Sequence, residues 1–221
     1  MIIKSFELDK LKSFRSTSHL IYGNNEGIKD DIINDYHLKN FDGEVLKYDE
    51  HEILNNKDEF ISNLLNKSLF EMSKLIIISR GTDKIFEIFN DILNRKTLDT
   101  KIIIKSSVLE KKSKLRKFFE KEKHIICTPV YEDDNRSLSL VIQNFLIDNK
   151  LSLSQEVKNI LIERSKGDRI NLRNELSKLK NLMISKNKVS TEDVMKLSNL
   201  AENYSVFELS DSYLAKNMKK I

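Results

Sequence analysis

One cysteine, one proline, five glycines and no tryptophan are spread over 221 residues. A lone thiol, Cys127, makes neither an internal disulfide nor a metal site by itself, so a reducing, cytoplasmic setting without a structural metal is expected. So little proline and glycine leaves no flexible linker, and any domains must abut through short connections. No apolar run approaches the roughly 18 residues that a bilayer demands. The start, Met-Ile-Ile-Lys-Ser-Phe-Glu, lacks the basic region, apolar core and cleavage site of a signal peptide. Membrane and secreted disulfide-stapled classes are therefore not expected, and no internal repeat is apparent.

What is present is enough for one large domain or two smaller ones, since 39% of residues are apolar and 33% charged. The net charge of +4 comes from 38 basic and 34 acidic residues that are mixed along the chain, which permits nucleic-acid contact without demanding it. Lysine far outnumbers arginine, and isoleucine and asparagine are abundant, a bias that an AT-rich genome produces without functional demand.

Short β-rich runs at 19–22, 44–48, 75–78, 101–104 and 125–128 alternate with helical patterns over 27–38, 57–70, 84–93 and 109–122. Strand and helix in alternation predict a parallel sheet covered on both faces, with the isoleucine-rich runs as its central strands. From Arg136 onward the pattern is helical only: 137–149, 154–165, 168–184 and 191–197. Ser154 and Asp168 are the expected N-caps, Gly167 the stop between them, and Leu172, Leu176, Leu179 and Met183 a buried stripe. A last helix is expected near Tyr204, carrying Phe207, Leu209, Tyr213 and Leu214. The expected division is an α/β domain at 1–135, a small helical lid at 136–203, and the start of a further helical domain at 204–221.

A parallel α/β domain followed at once by a helical one is the plan of AAA+ nucleotide-handling proteins, so the loop after the first strand is where chemistry is sought. A phosphate loop of the form G-x-x-x-x-G-K-[ST] works because its amides cradle phosphate, its lysine reaches the terminal phosphates and its hydroxyl holds magnesium. Here the glycines, Gly23 and Gly27, are one residue too close. Ile28 follows Gly27, and Lys29 is followed by Asp30 and Asp31, carboxylates that would repel a triphosphate. At the end of the third strand, where an acid would hold magnesium, stand Ser79, Arg80 and Gly81. The glycines are read as turn formers, and no catalytic, cofactor-binding or metal-binding residue is assigned.

Other candidates are read structurally. His19, His37, His51 and His124 show no partner at ligand or triad spacing. Asp133 and Asp134 read as a solvated turn between domains. The basic cluster at 110–117 is a solvated helix face or a DNA contact, and the core pattern of Leu115, Phe118 and Phe119 with no stacking aromatic among its lysines favours the former.

The stretch from Phe60 to Ser79 organises the rest. Phe60, Ile61, Leu64 and Leu65 form one helical face, whereas Phe70 falls roughly opposite it and Leu69 at its edge. The pair is either an exposed apolar knob at a helix tip or turns inward where the chain enters the strand. Ser68-Leu69-Phe70, followed by the strand at 74–79, resembles the clamp-contacting segment of the delta subunit of the bacterial DNA polymerase III clamp loader. The runs at 20–26, 167–179 and 201–209 are similar to that family in the family's order, and together the matches span essentially the whole chain.

The resemblance implies an AAA+-like scaffold with a degenerate nucleotide site, no intrinsic enzymatic activity and no cofactor. Ser68, Leu69 and Phe70 would bind the sliding clamp, the beta subunit. Further implied partners are the ATPase and delta-prime type loader subunits and, through the complex, primed DNA. The chain would then be a component of the DNA polymerase III holoenzyme, a nucleotidyltransferase only by membership. Family members continue into a helical collar domain, which this sequence reaches only at its start, so that domain is expected to be missing or truncated. An ATP-hydrolysing AAA+ protein with an atypical loop, or a DNA-binding module, are the alternatives.

Overall fold

The computed structural model describes residues 1–4, 7–13, 16–65, 73–94 and 100–185. The chain divides into two compact units, residues 1–132 and 133–221. Unit one opens with a segment in which Ile2 bridges to Cys127, then a short helix α1 (Lys10–Ser13). Five strands follow: β1 (Ser18–Tyr22), β2 (Glu44–Asp49), β3 (Lys74–Ser79), β4 (Thr100–Ser106) and β5 (Ile126–Pro129). They form one parallel sheet in the order β2-β3-β4-β1-β5, so β1 is flanked by β4 and β5. The central strands β1, β3 and β4 are buried on both faces, which is why their sequences are continuous apolar runs rather than alternations.

One face of the sheet carries α2 (Glu26–Ile33), which passes directly into a π-helical turn at Asn34–Leu38. There Ile32 and Ile33 pack on Ile21, Leu75, Ile77, Ile103 and Ile126. The other face is covered by α3 (Glu50–Asn55), α4 (Lys57–Leu65), α5 (Phe86–Asn94) and α6 (Lys114–Lys121). Its core joins Ile53, Phe60 and Leu64 to Phe89, Leu115 and Phe119 over Leu20, Ile76, Ile78, Ile102 and Ile104.

Two features differ from expectation. A separate helix, α3, precedes the helix that starts at Lys57, whose expected end near residue 70 lies outside the described residues. Asp49 starts α3 with a capping box to Glu52, and Asn56, at φ −128° and ψ 49°, breaks the chain before Lys57. The helix expected from 109 begins at Lys114, because the Ser113 hydroxyl accepts from the Arg116 amide and fixes the start there.

Unit two contains α7 (Asn135–Asn149), α8 (Gln155–Ser165) and α9 (Arg169–Ser185). Leu138, Ile142 and Leu146 of α7 meet Val157 and Leu161 of α8 and Leu172, Leu176 and Leu179 of α9. Ser154 caps α8 through the Val157 amide and Asp168 accepts from the Ile170 amide, as the sequence implies; Lys166 and Gly167 turn left-handed between them. Asp133 and Asp134 are not a solvated turn. Asp134 forms a capping box with Ser137, and the Asp133 side chain, 0% exposed, receives two guanidinium hydrogen bonds from Arg169 at 2.6 and 2.9 Å. Arg169 lies 36 residues away, beyond the reach of local pattern. The expected helices at 191–197 and after Tyr204, and with them the collar, lie outside the described residues.

Candidate functional site

The carboxyl edge of the sheet, where ligands of open parallel sheets collect, is built from the loop after β1, the first turns of α2 and the ends of β3 and β4. Gly23 has φ +136°, and a Cβ there would stand 1.9 Å from the Val130 carbonyl oxygen, so only glycine lets the loop close onto β5. Its amide donates to the carbonyls of Ser106 and Ser107 at 3.3 and 3.2 Å. Asn25 caps α2, its Oδ1 accepting from the Ile28 amide at 2.9 Å while its Nδ2 donates to the Tyr131 carbonyl at 3.1 Å. The backbone amides of Gly23 and Ile28 are thus satisfied within the protein.

Lys29 fills the centre. Its side chain is 1% exposed, and its ammonium donates to the carbonyls of Gly23 and Ser106, each at 2.8 Å, and pairs with Glu26 at 2.5 Å. Glu26 also meets Lys105 at 3.3 Å, and Lys105 pairs with Asp30 at 2.6 Å. Burial pulls the Glu26 carboxyl upward, but the hydrogen bonds and charges of Lys29 and Lys105 outweigh it and hold it below its ordinary value. Burial lowers and Asp30 raises the Lys105 ammonium, with a net rise. Asp30 and Asp31 lie a turn into α2, because Asn25 starts the helix and places Glu26 in its first turn. The polarity is the reverse of a phosphate loop: carbonyl oxygens point inward and an internal cation satisfies them.

At the end of β3 no acid stands either. Arg80, left-handed at φ 57°, turns to Asp49 at 2.6 Å, and a Cβ on Gly81 would meet Ile104 Cγ2 at 2.4 Å, leaving no room for an acid there. Nearby carboxylates serve the backbone. Glu50 accepts from the Thr82 amide at 2.6 Å and the Ile85 amide at 3.2 Å, and Asp83 from the Ser113 hydroxyl at 2.5 Å and the Leu115 amide at 3.0 Å. Among the described residues no group of three or more His, Cys, Asp or Glu could hold a metal, and no helix is long and apolar enough to cross a membrane.

Ser68, Leu69 and Phe70 lie outside the described residues. The helix leading to them, α4, is anchored by Phe60 and Leu64 in the core, and the Lys74 ammonium at the start of β3 donates to the Asn63 carbonyl at 3.0 Å. In the basic cluster Leu115 and Phe119 are buried while Lys114, Lys117 and Lys121 are exposed.

The histidines hold a surprise. His19 and His37, read as partnerless, are both buried and joined: His19 Nδ1 lies 2.8 Å from His37 Nε2, and His19 Nε2 2.8 Å from the Thr128 hydroxyl. Burial pushes His37 down to about 3 and His19 well below its usual value. The only sequence signal for the pair is that a helix following β1 packs back over it, and a separation of 18 residues matches no motif.

The strand order, the helical unit that follows in the chain and the position of the modified loop define an AAA+-like α/β fold. Three solved structures show the same architecture. Domain III of the Thermotoga maritima replication initiation protein DnaA is 17% identical with a TM-score of 0.54, over 87% of this chain and 88% of that one. The Bacillus subtilis DNA clamp loader delta protein, YqeN, is 14% identical with a TM-score of 0.55, over 98% of this chain and 68% of that one. A RuvB variant from Thermotoga maritima is 11% identical with a TM-score of 0.56, over 89% and 66%. The chain thus spans about two thirds of the length of the last two. At these identities the likeness is one of fold. No protein-family model matches the chain, and no curated protein matches it in sequence.

Proposed function

We propose that this chain is a non-catalytic clamp-loader subunit of the delta type, which binds a sliding clamp and helps open it for loading onto primed DNA during replication. The observation that carries the reading is Lys29: on an AAA+-like scaffold, the place of the nucleotide phosphates is held by the protein's own ammonium, bonded to two carbonyls and a carboxylate. A triphosphate entering there would meet carbonyl oxygens and the carboxylates of Glu26 and Asp30, so binding would first require pulling the buried Lys29 ammonium from its partners. Fold likeness alone does not separate a clamp loader from an initiator. What favours the clamp loader is the sequence Ser68-Leu69-Phe70, in the stretch between α4 and β3, which resembles the delta segment whose apolar pair enters a pocket on the clamp. In this reading the partners are the clamp, the ATPase and delta-prime type loader subunits and, through them, DNA. Any enzymatic label comes from membership of the DNA polymerase III holoenzyme. Calorimetry with ATP and magnesium should show no heat above dilution, and the sliding clamp of the same organism should be retained on the immobilised chain. A micromolar nucleotide site with turnover would replace this reading with that of an ATPase.

A further inference from the structure

Away from the nucleotide edge, on the sheet face that α2 covers, a second polar cluster has no role in the reading above. His37 sits in the π-helical turn, a local geometry common at functional sites. Its Nε2 is engaged by His19, whereas its Nδ1 is buried and has no hydrogen-bond partner. Lys101 stands on the same face of β4, two residues before Ile103, which pairs with His19 of β1. It is partly buried, its charge acts on both imidazoles, and desolvation alone shifts it, with no carboxylate beside it among the described residues. The cluster is therefore electropositive, desolvated and uncompensated, and it contains one unused polar atom. Buried groups of this kind are nearly always satisfied.

We propose that the Lys101 ammonium and His37 Nδ1 form a binding site for a small tetrahedral oxyanion, of the size and charge of inorganic phosphate. The site uses one of the two directions the relay allows: with the Thr128 hydroxyl donating to His19 Nε2, His19 Nδ1–H donates to His37 Nε2, and the neutral His37 carries its proton on Nδ1, where it can donate to the anion. Lys101 supplies the opposite charge and a charge-assisted hydrogen bond. Neither imidazole needs to be protonated, so the site operates at neutral pH.

Nitrogen-15 NMR of the imidazoles during titration with sodium phosphate tests this, with sodium sulfate as a second tetrahedral anion and sodium chloride at matched ionic strength as control. Saturable shifts of His37 Nδ1 with phosphate and sulfate, absent with chloride, are expected. Lys101→Met, which keeps the length of the chain without its charge, should weaken the response by about tenfold or more. His37 resonances unmoved by tens of millimolar phosphate would overturn the site, and so would an undiminished response in Lys101→Met. The first of these needs only the unaltered protein, so the test stands even where the variant fails to fold.

Discussion

The buried histidine pair makes this fold acid-labile in a window where few other groups titrate. His37 drops from an ordinary 6.5 to about 3 on folding, because burial beside His19 and near Lys101 disfavours the imidazolium. A value depressed in the folded state means that the unfolded chain binds more protons below pH 6.5. The stability is then complete above that pH and is lost progressively as the pH falls toward 3. Between pH 7 and pH 5 the loss from His37 alone amounts to about 1.4 pH units of linkage, or roughly 2 kcal/mol at 1.36 kcal/mol per unit. His19, shifted in the same direction, adds to it. Urea denaturation at both pH values measures the difference directly. A His37→Gln variant, which cannot titrate there, should lose about 2 kcal/mol less than the parent over the same step. Equal losses in the two proteins would show that the imidazole is not held neutral by the fold, and the account of the buried pair would fall with it.

Three further outcomes follow from other contacts. Arg169→Ala leaves the carboxylate of Asp133 buried without its guanidinium, and should cost roughly 3–5 kcal/mol in urea titrations that follow the helical unit. Gly23→Ala forces a Cβ against the Val130 carbonyl at a left-handed φ, so a loss of roughly 3 kcal/mol or more is expected by thermal melting, and an unchanged melting temperature would mean that the loop is not closed onto β5. Leu69→Ala with Phe70→Ala should abolish clamp retention while moving the melting temperature by only a few degrees, since an anchoring apolar pair is worth roughly 1.5–3 kcal/mol per side chain in the complex. An early-melting double variant would place these residues in the core instead.

The sheet was legible because its strands are buried on both faces: Leu75 to Ile78 and Ile102 to Ile104 have no polar interruption, and a run that short between helical patterns has few other homes. The departure from the phosphate-loop motif was legible too, since the spacing of Gly23 and Gly27 and the carboxylates after Lys29 are local facts. That Lys29 folds inward was not, for its partners Gly23 and Ser106 are brought together only by the pairing of β1 with β4. The same limit hid His19 with His37 and Asp133 with Arg169: each contact joins residues that periodicity leaves unrelated, and the sheet or the helical unit supplies the missing distance. Boundaries failed where a single cap decides them, as Ser113 does for α6 and Asp49 for α3.

The inward lysine has one more consequence. A loop whose central charge is its own Lys29 ammonium, held by two backbone carbonyls and a carboxylate one turn away, has its shape set by contacts within the protein. If the chain is the clamp-loader subunit proposed above, such a loop would be a fixed reference beside ATP-hydrolysing partners, the stationary part of a machine whose other parts keep time by fuel.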